Sequence, residues 1–213
     1  MSTAYDAWIE RAGLLSPKEE DDDEKGGGDE SKEKGVADRL FKARVVICSK
    51  GVDDKLAAGM IAQLFALERD DKDKPVTVIV NSPGGSADSG FAIYDAMRFI
   101  SCPVRSITMG ICASAGVMIF LGGAEGQRFC TPSARFLLHQ PSMRTSGQAS
   151  DLEIVSREID RLKLQYNLIV AEASGRPVKD VERDVNRDFW LSAPAALEYG
   201  LVNKVVTSRK EIE

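Results

Sequence analysis

The sequence predicts an α/β domain whose strands run largely parallel and are buried on both faces. Three observations lead there. Short apolar runs rich in Val and Ile recur along the chain, and amphipathic helical stretches separate them. At 213 residues, the chain is also long enough for one domain with a sizeable core.

The elements are expected in the following order. Residues 3–15 can form a short amphipathic helix, with Tyr5, Trp8, Ile9 and Leu14 on its apolar side. Residues 16–36 contain SPKEEDDDEKGGGDESKEKG, a charged, Gly-bearing stretch with nothing to bury, so disorder is expected there. Residues 1–36 are therefore set apart as an acidic extension from a domain over 37–213. RVVICS (44–49) reads as a buried strand, LAAGMIAQLFALER (56–69) as a helix, and VTVIVNS (76–82) as a second strand. A glycine turn, SPGG, leads into a helix over about 87–100. VRSITMG (104–110) is a third strand, followed by a helix from about Ser114 to Leu121, and ARFLLHQ (134–140) is a further strand. A long helix is expected over 148–173, with Leu152, Val155, Ile159, Leu162, Tyr166 and Ile169 stepping by three and four. At ~1.5 Å per residue it would be about 40 Å long, more than its own domain needs, so the seam is expected to pack on a partner. A helix at about 177–185 follows, then a helix capped by Ser192 and stopped by Gly200, then a closing strand, VNKVV.

Composition excludes several functions. Net charge is -5, which argues against nucleic-acid binding. Residues 1–35 hold 11 acidic and 5 basic side chains, so the acidity belongs to the extension and the remainder is close to neutral. The four cysteines, Cys48, Cys102, Cys112 and Cys130, form no CxxC pair, and the single histidine is not spaced with them for zinc. They read as small buried hydrophobes in a reducing compartment. The N-terminus lacks a signal-peptide pattern, and no apolar run approaches a membrane span, so a cytoplasmic protein is expected.

Three features suggest chemistry. Ser114 lies where an apolar strand gives way to a helix, among small neighbours that permit a tight turn (MGICASAGVM). A serine in that position is commonly an N-cap; as a nucleophile it would need a base and donors for the developing oxyanion. His139, the only histidine, closes a buried strand; any Ser–His mechanism must use it, although a lone histidine there is commonly structural. SPGG at 82–85 can expose backbone N–H groups to an anion or an extended peptide, or can simply be a turn. Composition does not choose a third, carboxylate member among 33 acidic residues.

Taken together, the strings resemble the Clp protease proteolytic subunit (ClpP) family. They are RLFKARVVIC with GVDDKLA, VIVNSPGG with AIYDAMRFI, MGICASAG, RFCTPSARFLLHQP with SGQASDLEI, and ERDVNRDFWLSAPAALEYGLVNKVV, in family order across residues 37–206. The resemblance implies a crotonase-like spiral of ββα units with the long helix as a projecting handle between two stacked heptameric rings. It implies a serine endopeptidase with the triad Ser114, His139 and Asp188, and an oxyanion hole from the N–H groups of Gly85 and Ala115. It implies unfolded polypeptides as substrates, delivered by an AAA+ Clp-type ATPase, and no cofactor on this chain, since ATP is the ATPase's. Four departures stand out. The acidic linker replaces the hydrophobic axial-gate segment, SMRTSG (142–147) replaces a Gly-rich stretch, Ala115 replaces a common Met, and Asn186 replaces a common acidic residue. The last is expected to cost a charge contact to Arg187 across the ring interface. Two other readings are a mainly structural ring subunit assembling with an active paralogue, and a crotonase-type enzyme acting on acyl-CoA. Short-peptide hydrolysis separates the first reading from both.

Overall fold

The computed structural model describes residues 29–212. The helix expected at 3–15, and the linker up to residue 28, lie outside these. The first described element is a helix, α1 (Asp29–Lys42), which begins within the stretch read as linker. A turn at Ala43 and Arg44, with Arg44 at φ 55°, joins it to the first core strand.

The strands β1 (Val45–Cys48), β2 (Val76–Ser82) and β3 (Val104–Ala113) are parallel neighbours. Val46, Cys48, Val76, Val78 and Val80 are all almost fully buried, as expected for β-branched strands covered on both faces. Between them run α2 (Asp54–Asp70) and α3 (Ala87–Phe99), which pack on each other. Side-chain caps start both: Asp53 accepts from Leu56 N–H at 2.7 Å, and Ser86 accepts from Ser89 N–H at 3.2 Å.

β3 extends three residues beyond the Gly110 at which the sequence suggested it would end. Gly110 is a bend within the strand, at φ 89°, rather than its terminus, and the Asn81 side chain accepts from Ile111 N–H beyond it. The bend gives β3 two partners. Its first half pairs with β4 (Arg128–Cys130), and its second half pairs with β5 (Arg135–Leu138), both parallel. β6 (Phe189–Ser192) then joins β5 antiparallel, and β7 (Lys204–Val205) joins β4. β4 and β6 were not expected from sequence. β4 is three residues long, and β6 abuts the Ser192 cap of α7 (Ala193–Tyr199), so neither shows a legible period.

α4 (Ala115–Leu121) is buried along its whole length, and Phe120 packs on Phe136 of β5 at 5.3 Å. The long helix α5 (Ala149–Ser174) is followed by α6 (Val178–Asp184). No residue of α5 before Tyr166 is buried, and residues 149–154 are all exposed, so its first turns stand clear of the domain. The seam proves divided. Tyr166 and Ile169 are core, and Leu162 packs against the core. The unpartnered apolar side chains are instead Ile154, Leu164 and Leu168, together with Leu152. Among the described residues, no helix is long and apolar enough to cross a membrane.

Candidate active site

Three neighbouring strands end at one edge of the sheet, and each carries one predicted site residue. Ser114 follows β3, His139 follows β5, and Asp188 precedes β6. The antiparallel register pairs Leu138 with Phe189; one step further it sets His139 opposite Asp188. Their Nδ1 and Oδ1 atoms are 3.3 Å apart. Strand register thus sets one of the 33 acidic residues against the only histidine. Ser114, His139, Gly85 and Ala115 share the wall of a cleft of about 490 Å³, and Asp188 lies behind the imidazole, outside that lining.

The backbone at Ser114 separates the two readings of this residue. It occupies the cap position of α4, yet its side chain makes no capping hydrogen bond, whereas Asp53, Ser86 and Ser192 all cap their helices. Its φ and ψ are 54° and -121°, outside the extended region a cap adopts. For a residue with a Cβ this costs of order 1–3 kcal/mol, and such strain concentrates at functional sites. Neighbours hold it in place: Ser114 N–H donates to the Leu137 carbonyl at 2.9 Å, and Val117 N–H donates to the Ser114 carbonyl at 2.9 Å. The result is a hydroxyl aimed off a sharp strand-to-helix turn, the physical content of a nucleophile elbow without the GxSxG string.

The SPGG loop is fixed against both sides. Val52 N–H donates to the Gly84 carbonyl at 2.9 Å, and Ser86 N–H donates to the Val52 carbonyl at 2.7 Å. These bonds use the residues flanking Gly85, whose own N–H has no partner among the described residues. The Ala115 N–H, first in its helix, likewise has no partner among the described residues. A Cβ at Gly84 would lie 2.6 Å from the Ala113 carbonyl and 2.7 Å from Ser114 Cβ, and one at Gly85, where φ is 152°, would collide with the Val52 carbonyl. Gly85→Ala should therefore displace the loop and lower kcat/KM for peptide hydrolysis by about 10²–10³-fold, the loss seen when one oxyanion donor is removed. An unchanged rate would exclude this loop from the site.

Sequence reasoning missed one contact. Gln140 Nε2 donates to Asn186 Oδ1 at 3.0 Å, tying together the residues that flank His139 and Asp188. Asn186 thus has a partner within the chain, and the Arg187 guanidinium reaches only its backbone carbonyl, at 3.5 Å. The only available signal was the adjacency of Gln140 to His139. Because an exposed hydrogen bond contributes about 1 kcal/mol net, Gln140→Ala should lower kcat roughly fivefold with KM little changed. Asn186→Asp keeps the acceptor and should retain most of the rate. Equal kinetics in all three proteins would show the contact to be incidental.

Burial pushes the Cys112 thiol well above the ordinary range, and raises Cys48 to about 11, so the thiols beneath the site are protonated and inert at neutral pH. Among the described residues, no cluster of His, Cys, Asp and Glu is arranged to hold a metal ion.

The Clp protease family model matches residues 28–209, nearly the whole described chain. The chain belongs to the Clp protease family. It is 41% identical over 176 residues to a protein of Porphyromonas gingivalis named "ATP-dependent Clp protease proteolytic subunit", covering 83% of this chain and 79% of that one. It also superposes on a solved ClpP1 mutant from Listeria monocytogenes with a TM-score of 0.78 and 33% identity, covering 84% of this chain and 99% of the other. The fold is therefore that of ClpP, and the α/β reading with a projecting helix holds.

Proposed function

We propose that this Clp protease subunit is a serine endopeptidase acting through Ser114, His139 and Asp188. The uncapped, strained Ser114 beside the cleft carries the reading, because no structural role explains that backbone. His139 takes the Ser114 proton as Oγ attacks the scissile carbonyl, and later delivers it to the leaving amine. Asp188, facing Nδ1, fixes the tautomer and stabilises the imidazolium. The carbonyl oxygen, as it becomes an oxyanion, receives the N–H groups of Gly85 and Ala115. Water then attacks the acyl-enzyme by the same route, releasing the new carboxylate and restoring Ser114. No resident cofactor takes part. The 3.3 Å separation of His139 and Asp188 is loose for a catalytic contact, and such contacts tighten when substrate binds.

The proposal extends to the assembly: two stacked heptameric rings, of this chain or with paralogues, enclosing the clefts and receiving unfolded polypeptide from an AAA+ Clp-type ATPase. The experiment is hydrolysis of a short fluorogenic peptide together with labelling by a serine-reactive phosphonate, in wild type and His139→Ala. Turnover and labelling of Ser114 are expected in wild type and neither in the variant, since no other histidine can substitute. Turnover by His139→Ala would refute the mechanism.

A further inference from the structure

The cleft wall is part apolar and part polar, and one charged group on it has no place in the mechanism. Phe91, Met118, Ile159, Leu162 and Tyr166 line it, and Asp88 is the only carboxylate or basic side chain besides His139 in that lining. Asp88 is exposed, with no ion pair or hydrogen bond among the described residues. Arg144, next to Met143 of the lining, does not itself line the cleft. The backbone that carries Asp88 is fixed. Ser86 caps its helix, and the next residue, Ser89, is buried and donates its hydroxyl to Asp54 at 2.7 Å on the α2 side. Asp88 therefore stands on a rigid first turn, three residues after Gly85, whose N–H is assigned to the scissile carbonyl.

Apolar side chains beside a single carboxylate match a substrate side chain with an aliphatic stem and a cationic end. Lysine and arginine lay their methylenes on apolar surface while the charge seeks an anion. A glutamate side chain would meet like charge, and leucine would cover the apolar side chains but leave the carboxylate unengaged. We propose that Asp88 makes this cleft select a lysine or arginine side chain on the residue that supplies the scissile carbonyl. Its stem would lie on Phe91, Met118 and Leu162, and its charged end would meet the Asp88 carboxylate. The proposal rests on the peptidase reading above and adds a substrate class to it.

Two measurements test it. The first compares kcat/KM for three fluorogenic peptides that differ only at that residue, Lys, Leu and Glu, in wild type, Asp88→Asn and Asp88→Lys. The second measures binding of dye-labelled versions of the same peptides by fluorescence anisotropy in a Ser114→Ala background, with and without Asp88→Asn, so that nothing turns over. Removing a solvent-accessible charge pair is worth up to about fivefold, so the Lys-to-Leu ratio should fall roughly fivefold in Asp88→Asn, and the Lys-to-Glu ratio further. Asp88→Lys should reverse the preference toward Glu. The selectivity should also shrink as salt rises, because screening shortens the reach of the charge. Ratios in wild type and Asp88→Asn that agree within twofold, in both rate and binding, would overturn the proposal while leaving a working peptidase. Asp88-dependent binding of the Lys peptide without any turnover in wild type would uphold the selectivity and overturn the catalytic reading instead. Absence of both binding and turnover would overturn both.

Discussion

Replacing Ser114 with alanine should reduce peptide hydrolysis by about 10⁴–10⁶-fold, the scale found when a triad nucleophile is deleted. Phosphonate labelling should vanish with it. The fold should not suffer, because the Ser114 side chain caps nothing and alanine keeps the same Cβ in the same φ of 54°. A second substitution reads the strain itself. Ser114→Gly is equally dead as a nucleophile, but glycine adopts positive φ without steric cost. Relief of 1–3 kcal/mol of strain, less the entropy glycine adds to the unfolded chain, leaves a net gain of about 1 kcal/mol. For a domain of this size that is a rise in Tm of about 2–4 °C. Calorimetry on wild type and the two variants decides the matter. An inactive, stabilised Ser114→Gly fits a turn held strained for chemistry. A Ser114→Gly less stable than Ser114→Ala would show that the Cβ supports the fold, a wild type more stable than Ser114→Ala would show that the hydroxyl does, and in either case the functional reading of this turn would fail.

The same residue shows how far the sequence could be read. Alternation of Val-rich runs and amphipathic stretches placed β1, β2, β3 and β5 and the helices between them, because strands buried on both faces carry their signal in every residue. Ser114 and His139 were legible as candidates from a small-residue turn and from the absence of any other histidine. What no local pattern contained was long-range register. Asp188 faces His139 only because β6 pairs antiparallel with β5, and β6 is four residues long. The bend at Gly110 was equally hidden, since a glycine after a Val- and Ile-bearing run reads as a stop. Only the switch of β3 from β4 to β5 shows that the strand continues, carrying Ser114 to the edge where the cleft lies. Asp188 entered from sequence through family resemblance alone, and register supplies the physical reason for it.

The handle was read correctly in length, but part of its expected partner seam belongs to its own domain. The stepping positions from Leu152 to Ile169 suggested a seam for a partner, but helical periodicity cannot say which neighbour a stripe meets. Tyr166 and Ile169 are buried at 4% and 8% exposure in their own domain, and Ile159 and Leu162 line the cleft. Placing Asp at 159 and 162 should therefore lower Tm and damage the cleft, whatever happens to assembly. The solvent-facing stripe is Ile154, Leu164 and Leu168, which are 63%, 54% and 48% exposed. At 100° per residue these three fall within a sector of about 80°, on the side roughly opposite the buried seam. Short-range ion pairs, Arg157 with Glu153 and Arg161 with Glu158, help a free-standing helix only slightly. A helix this long with a bare apolar stripe is expected to be held by a second copy. Leu164→Asp with Leu168→Asp should leave each protomer folded, since exposed positions contribute little to its Tm. In an interface, each leucine removed from water contributes about 1.5–3 kcal/mol, and buried aspartates would add a desolvation cost. Repeated around a ring, that loss should split a two-ring particle into single rings or smaller species in sedimentation or native mass measurement, and peptidase activity should fall with it. A double variant that keeps both its particle mass and its activity would show that this stripe faces solvent in the assembled protein, and that the rings, if stacked, meet elsewhere.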